Sequence, residues 1–155
     1  MVTVEEMKAV IDNYVEAGKE KTYYSVTPEE MRRFEKNSKL PMMISQRKMK
    51  NDNEHKVKPT PGYELIEEMC CISVTSLKKT INGSDRPTRT FLYRFTVGLH
   101  MSLEEANAFF DLCGGTLREE NPEDYLCIKA LLDGDDIHDF CSDYEKYFNK
   151  KLTRQ

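Results

Sequence analysis

The sequence predicts a mainly α fold: a compact multi-helix bundle with an N-terminal helical appendage. Apolar residues recur at three- and four-residue spacing through most of the chain, as on one face of a helix. Residues that favour the N-cap position stand just before these stripes, at Thr3, Ser73, Thr88, Ser102, Asn121 and Asp136. No stretch of any length alternates apolar and polar residues as a half-buried strand does.

Thr3 and Glu6 form a capping box before Val4, Met7, Ile11, Tyr14 and Val15, and Gly18 suits the end of that helix. Residues 19–26 are ambiguous in composition. Thr27, Pro28 and Glu30 open a second helix with Met31 and Phe34 as its apolar contacts. It is predicted to stop before Leu40-Pro41, because proline disfavours helix at the preceding residue. Residues 63–69 and 74–81 form two short helices, and Asn82-Gly83 closes the second. Thr88 caps a helix over 89–99 that turns Phe91, Leu92, Phe95 and Leu99 inward. Ser102 and Glu105 form a second capping box, for a helix over 103–112 stopped by Gly114-Gly115. Asn121-Pro122-Glu123 starts the next, which Asp133-Gly134 ends. Asp136 caps the last, with Ile137, Phe140, Cys141, Tyr144 and Phe148 on one face.

Three regions follow: an N-terminal helical segment over 1–40, a basic loop or arm over 41–61, and a helical domain over 62–155. The arm reading rests on QRKMKNDNEHKVKPTP, where no apolar face persists and Asn, Asp, Lys and Pro accumulate. It carries Arg47, Lys48, Lys50, Lys56 and Lys58.

The net charge of −4 hides an asymmetry. Residues 1–30 hold 3 basic and 7 acidic side chains, residues 31–94 hold 14 and 7, and residues 95–155 hold 6 and 13. A basic middle between acidic ends is the footprint expected of a surface that meets a polyanion; a solvated surface whose parts attract one another has the same footprint. Hydrophobic residues at 39% supply one core, while charged residues at 32% leave segments outside it. No apolar run approaches the roughly 20 residues that cross a bilayer, so no membrane contact is expected. The first residues lack a basic stretch followed by an apolar one, and five cysteines make an odd set. Both fit reduced thiols and a cytoplasmic location.

The segment over 65–110 concentrates the functional signal. Leu65-Ile66-Glu67-Glu68-Met69, the turn Cys70-Cys71-Ile72-Ser73 and Val74-Thr75-Ser76-Leu77-Lys78-Lys79-Thr80-Ile81 read as a helix-turn-helix. Val74, Leu77 and Ile81 share one face of the second helix, and Thr75, Ser76, Lys78 and Lys79 lie away from it. Short polar and basic side chains facing outward are what a helix entering the major groove requires.

With the Asn82-Gly83…Arg86-Pro87 loop and Met101-Ser102-Leu103-Glu104-Glu105, this order resembles the phage-repressor, or Xre-like, helix-turn-helix family over about 45 residues. The family's first helix would fall on residues 42–50 or on an N-terminal helix. Cys71 stands where the family has Gly, so a residue with a Cβ is expected in a conformation that Gly prefers. The resemblance implies a non-catalytic, duplex-DNA-binding transcription regulator acting as a homodimer. Thr75, Ser76, Lys78 and Lys79 would make the contact, and Arg86, Arg89, Arg47, Lys48 and Lys50 would anchor phosphates.

Catalytic motifs are not found: no phosphate-cradling Gly-rich loop, no H-E-x-x-H and no G-x-S-x-G. DGDDIHDF, over 133–140, has its Gly misplaced for a calcium loop, and its carboxylates suit a helix N-terminus. His138 and Cys141 make one close H-x-x-C pair without the C-x-x-C pairs of a zinc site, so buried thiols packing as small hydrophobes are expected. Neither a metal nor a cofactor is expected. The acidic excess over 95–155 supports a second reading, a phage- or mobile-element-type module that binds and inhibits or adapts a host nucleic-acid enzyme, as an anti-defence inhibitor would.

Overall fold

The computed structural model describes residues 1–16, 39–55, 63–150 and 152. Among them lie eight helices and no strand. They are α1 (Val4–Glu16), α2 (Lys39–Glu54), α3 (Glu64–Cys70), α4 (Val74–Ile81), α5 (Arg89–Gly98), α6 (Leu103–Phe110), α7 (Pro122–Asp133) and α8 (Ile137–Phe148). The fold is the mainly α bundle that the periodicity predicts. No helix among the described residues is long and apolar enough to cross a membrane. The helix predicted to open at Thr27-Pro28 lies outside the described residues.

Local chemistry sets the helix starts. Thr3 and Glu6 exchange the two bonds of a capping box, at 3.1 and 3.4 Å. Ser73, Thr88 and Ser102 each accept from the backbone N–H three residues on, at 3.0–3.1 Å. Asn121 accepts from Glu123 and Asp124, with Pro122 in the first turn, and Asp136 accepts from His138. At the other end of α7, Gly134 takes φ +66, a left-handed value that suits a residue without a Cβ.

The centre of the bundle is α5, where Arg89 and every residue from Phe91 to Gly98 are buried. It packs against α3, α6, α7 and α8, while α1 lies on α7 and α2 on α4. Gly98 permits a close approach of α3: a Cβ there would stand 2.4 Å from the Met69 carbonyl oxygen and 2.6 Å from Cys70 Sγ. An aromatic chain runs from Phe110 through Tyr93 and Phe140 to Tyr144 and Phe148, with centroids 5.0–6.3 Å apart. Val2, Met7, Leu40 and Ile44 belong to the same buried cluster, so α1 and α2 share the core of the later helices. Tyr125 Oη donates to Glu6 at 2.9 Å and ties α7 to α1.

The arm expected over 41–61 is corrected for its first part. Residues 45–54 complete α2, and residues 56–61 lie outside the described ones. Pro41 is third in the helix, where its missing N–H costs no intrahelical bond. The inward stripe runs Leu40, Ile44, Lys48, Asn51, Asp52. It is apolar for one turn and polar thereafter, so hydrophobic periodicity ends at Ile44 although burial continues.

Candidate nucleic-acid interface

Two short helices, α3 and α4, meet at the turn Cys71-Ile72-Ser73. Cys71 closes α3 with φ 54 and ψ 38, and its N–H bonds the Glu67 carbonyl at 3.0 Å. The left-handed conformation expected there is thus taken by a residue with a Cβ, at a cost of about 1–2 kcal/mol. Ile72 is fully buried beneath the turn and pins both helices to the core. The carboxylate of Glu67 reaches across to accept from the Val74 N–H at 3.1 Å. The first turn of α4 therefore has two acceptors from its own chain, Ser73 Oγ and Glu67 Oε2.

The face that α4 buries is centred on Leu77 and Thr80, with Val74 and Ile81 half-buried at its margins. Thr75, Lys78 and Lys79 are exposed and Ser76 is half-exposed. Lys78 Nζ sits 5.2 Å from the centroid of Tyr63, which orders part of its stem. Arg86 is exposed beyond α4 and lines a cleft between α4 and the start of α5. The cleft has a volume of about 310 Å³, and Ser76, Thr80, Thr88 and Thr90 line it with four hydroxyls. Arg94, on the buried side, donates to the carbonyls of Thr90 and Cys71, each at 3.3 Å. Burial pushes its guanidinium below the ordinary arginine value.

The other predicted anchors go elsewhere. Arg89 is 3% exposed and is corrected from phosphate anchor to interior strut. Its Nη1 donates to the carbonyls of Cys113 and Gly115 and its Nη2 to Asp124, all at 2.7 Å. Burial lowers its pKa, but the Asp124 carboxylate and Tyr93 outweigh that and hold it above the ordinary value. Tyr93 Oη and the Arg118 N–H also donate to Asp124, which closes the network.

Lys48 is likewise buried, paired with Asp52 at 2.5 Å and placed 4.8 Å from the Tyr63 centroid, so it is not a surface cation. Arg47 Nε donates to Glu105 at 3.0 Å with its side chain 11% exposed. Lys50 is exposed, 3.9 Å from Glu105 and 4.0 Å from Glu54. The structure therefore brings Thr75, Ser76, Lys78, Lys79 and Arg86 onto one surface, places Arg47 and Lys50 between α2 and α6, and takes Lys48 and Arg89 into the interior.

Two residues of the surface carried no signal in the sequence reading. Glu67 caps a helix seven positions away, and Arg94 reaches the cleft from a helix buried almost throughout. The exposed residues Glu64 and Glu68 give α3 an acidic outer side beside basic α4. Among the described residues no three His, Cys, Asp or Glu side chains converge as metal ligands. Cys70, Cys71, Cys113, Cys127 and Cys141 are free thiols, and burial raises the pKa of Cys113 and Cys141 to about 11. The chain matches no family model, no curated protein and no solved structure.

Proposed function

We propose that the chain is a non-catalytic DNA-binding protein of the repressor helix-turn-helix type, a cytoplasmic transcription regulator that acts on duplex DNA as a homodimer. The observation that carries this reading is the split of α4. Leu77 and Thr80 anchor it, while Thr75, Lys78 and Lys79 project outward with Arg86 beside them. Threonine and serine hydroxyls suit base edges or phosphates, and the three cations suit phosphates. The order α2 to α6 also fits the resemblance, with α2 in the place of the first helix. A dimer would join two such weak contacts into one usable affinity.

Anisotropy titration of a random duplex pool at two salt concentrations tests the reading. Affinity is expected to fall steeply with salt, and the double variant Lys78→Ala/Lys79→Ala to lower the log–log slope by about 2. No binding at low salt sinks the reading.

A second reading is favoured by α3. A helix-turn-helix docks with its first helix across the sugar-phosphate backbone, where Glu64 and Glu68 would repel phosphates. In that reading the surface binds and inhibits or adapts a host nucleic-acid enzyme. A host protein retained on the immobilised chain after nuclease treatment, with no duplex binding, separates the two.

A further inference from the structure

Two of the five cysteines differ from the rest in exposure and in surroundings. Cys70, Cys113 and Cys127 are buried, and their thiols lie against the Phe95 carbonyl at 3.7 Å, the Pro87 carbonyl at 3.4 Å and the Thr96 hydroxyl at 4.0 Å. Cys71 and Cys141 are half-buried, so a small solute can reach them. Cys71 stands in the turn between α3 and α4, and Cys141 stands on α8. Their thiols meet in a side-chain hydrogen bond. Arg94 donates to the Cys71 carbonyl at 3.3 Å, and its positive charge acts on both sulfurs. A cation beside a thiol favours the thiolate, which is the reactive form. Cys71 also holds its left-handed φ of 54. Glycine would take that conformation without strain but would bring no sulfur to Cys141, and strained residues gather at switch regions.

We propose that Cys71 and Cys141 form a redox-sensitive dithiol, which a peroxide closes into a disulfide that tethers the α3–α4 turn to α8. The Cys71 thiolate attacks one peroxide oxygen. The O–O bond breaks, hydroxide leaves and Cys71 becomes a sulfenic acid. Cys141, whose pKa burial raises to about 11, reacts second. Its sulfur attacks the Cys71 sulfur, the S–OH bond breaks, and the leaving hydroxide takes the Cys141 proton as water. The two thiols lose two electrons and two protons, and one peroxide becomes two waters. In a reducing compartment the bond is transient, formed under oxidant and reopened by small thiols. The chemistry does not depend on what α4 binds.

The test treats the reduced, folded chain with a small excess of hydrogen peroxide. Remaining thiols are then alkylated in denaturant, and the chain is digested without reduction for mass spectrometry. The expected product is an intrachain Cys71–Cys141 cross-link, assigned by fragmentation, with Cys70, Cys113 and Cys127 alkylated. Dithiothreitol should remove it, and Cys71→Ser and Cys141→Ser should each abolish it. In the oxidised chain, amide hydrogen exchange at Val74 and Ser76, whose acceptors lie on Glu67 and Ser73 beside the turn, should slow by about tenfold. Four results overturn the proposal: both thiols stay open to alkylation, the bond uses Cys70 or joins two chains, it forms only in urea, or exchange at the turn is unchanged.

Discussion

The carboxylate of Glu67 accepts a hydrogen bond from the Val74 backbone N–H at 3.1 Å, which places a negative charge at the N-terminus of the helix proposed to read DNA. That charge complements the helix dipole in the free protein and repels a phosphate brought to the same place. Glu67→Gln keeps an acceptor and removes the charge. It is expected to cost about 0.3–1 kcal/mol in urea denaturation and to tighten low-salt duplex binding several-fold. Unchanged affinity would mean that this end of α4 does not face the phosphates.

Cys71 holds a left-handed φ of 54 at the turn between α3 and α4. Cys71→Gly is expected to raise stability by about 0.5–1 kcal/mol, the relief of Cβ strain less the entropy that glycine adds to the unfolded chain. Cys71→Val should destabilise by more than about 1 kcal/mol, since a β-branched residue is poorly tolerated there. Equal stabilities of the three proteins would show that the turn relaxes freely.

Arg89 and Asp124 form a buried ion pair at 2.7 Å, joined by Tyr93 and two backbone carbonyls. Arg89→Met leaves the Asp124 charge without its main partner and is expected to cost about 3–5 kcal/mol. Asp124→Leu should cost a similar amount. The double variant Arg89→Met/Asp124→Leu should be less destabilised than the sum, because no charge is then left buried alone. Additive losses in denaturant titrations would contradict this account.

Glu123 is 1% exposed; one carboxyl oxygen accepts from Tyr144 Oη, and the other is buried with no partner among the described residues. Burial raises its pKa above the ordinary 4.5, against the opposing Tyr144 bond. The folded state therefore keeps this proton at a pH where the unfolded state has released it. The stability that Glu123 contributes is present below the unfolded pKa and is lost as pH rises through the folded one. Glu123→Gln, which cannot ionise, is expected to lose less stability than the natural chain as pH rises from about 4.5 towards 7. Parallel stability curves for the two proteins would exclude the effect.

What was legible in the sequence was local. Thr3, Ser73, Thr88, Ser102, Asn121 and Asp136 cap helices because each side chain bonds a backbone N–H two or three residues away. The anchors of the candidate interface were less legible. Arg86 and Arg89 flank Pro87-Thr88 and read alike in the sequence, yet the partner of Arg89 lies 35 residues further on. Lys48 has its partner at i+4, a visible spacing, but only once α2 is known to be a helix does Asp52 come onto the same face.

The sequence by itself determined the helical class, most helix starts and the polar outward face of α4. All of these follow from interactions within a few residues. Only the tertiary structure decided which cations reach solvent. Burial depends on what the neighbouring helices cover, and a charged side chain enters the core when a distant element supplies its counter-charge. Asp124 on α7 does so for Arg89 of α5, whereas Lys48 is matched by Asp52 one turn along α2 itself. Packing thus drew Arg89 and Lys48 inward and left Thr75, Lys78, Lys79 and Arg86 as the surface on which function is proposed.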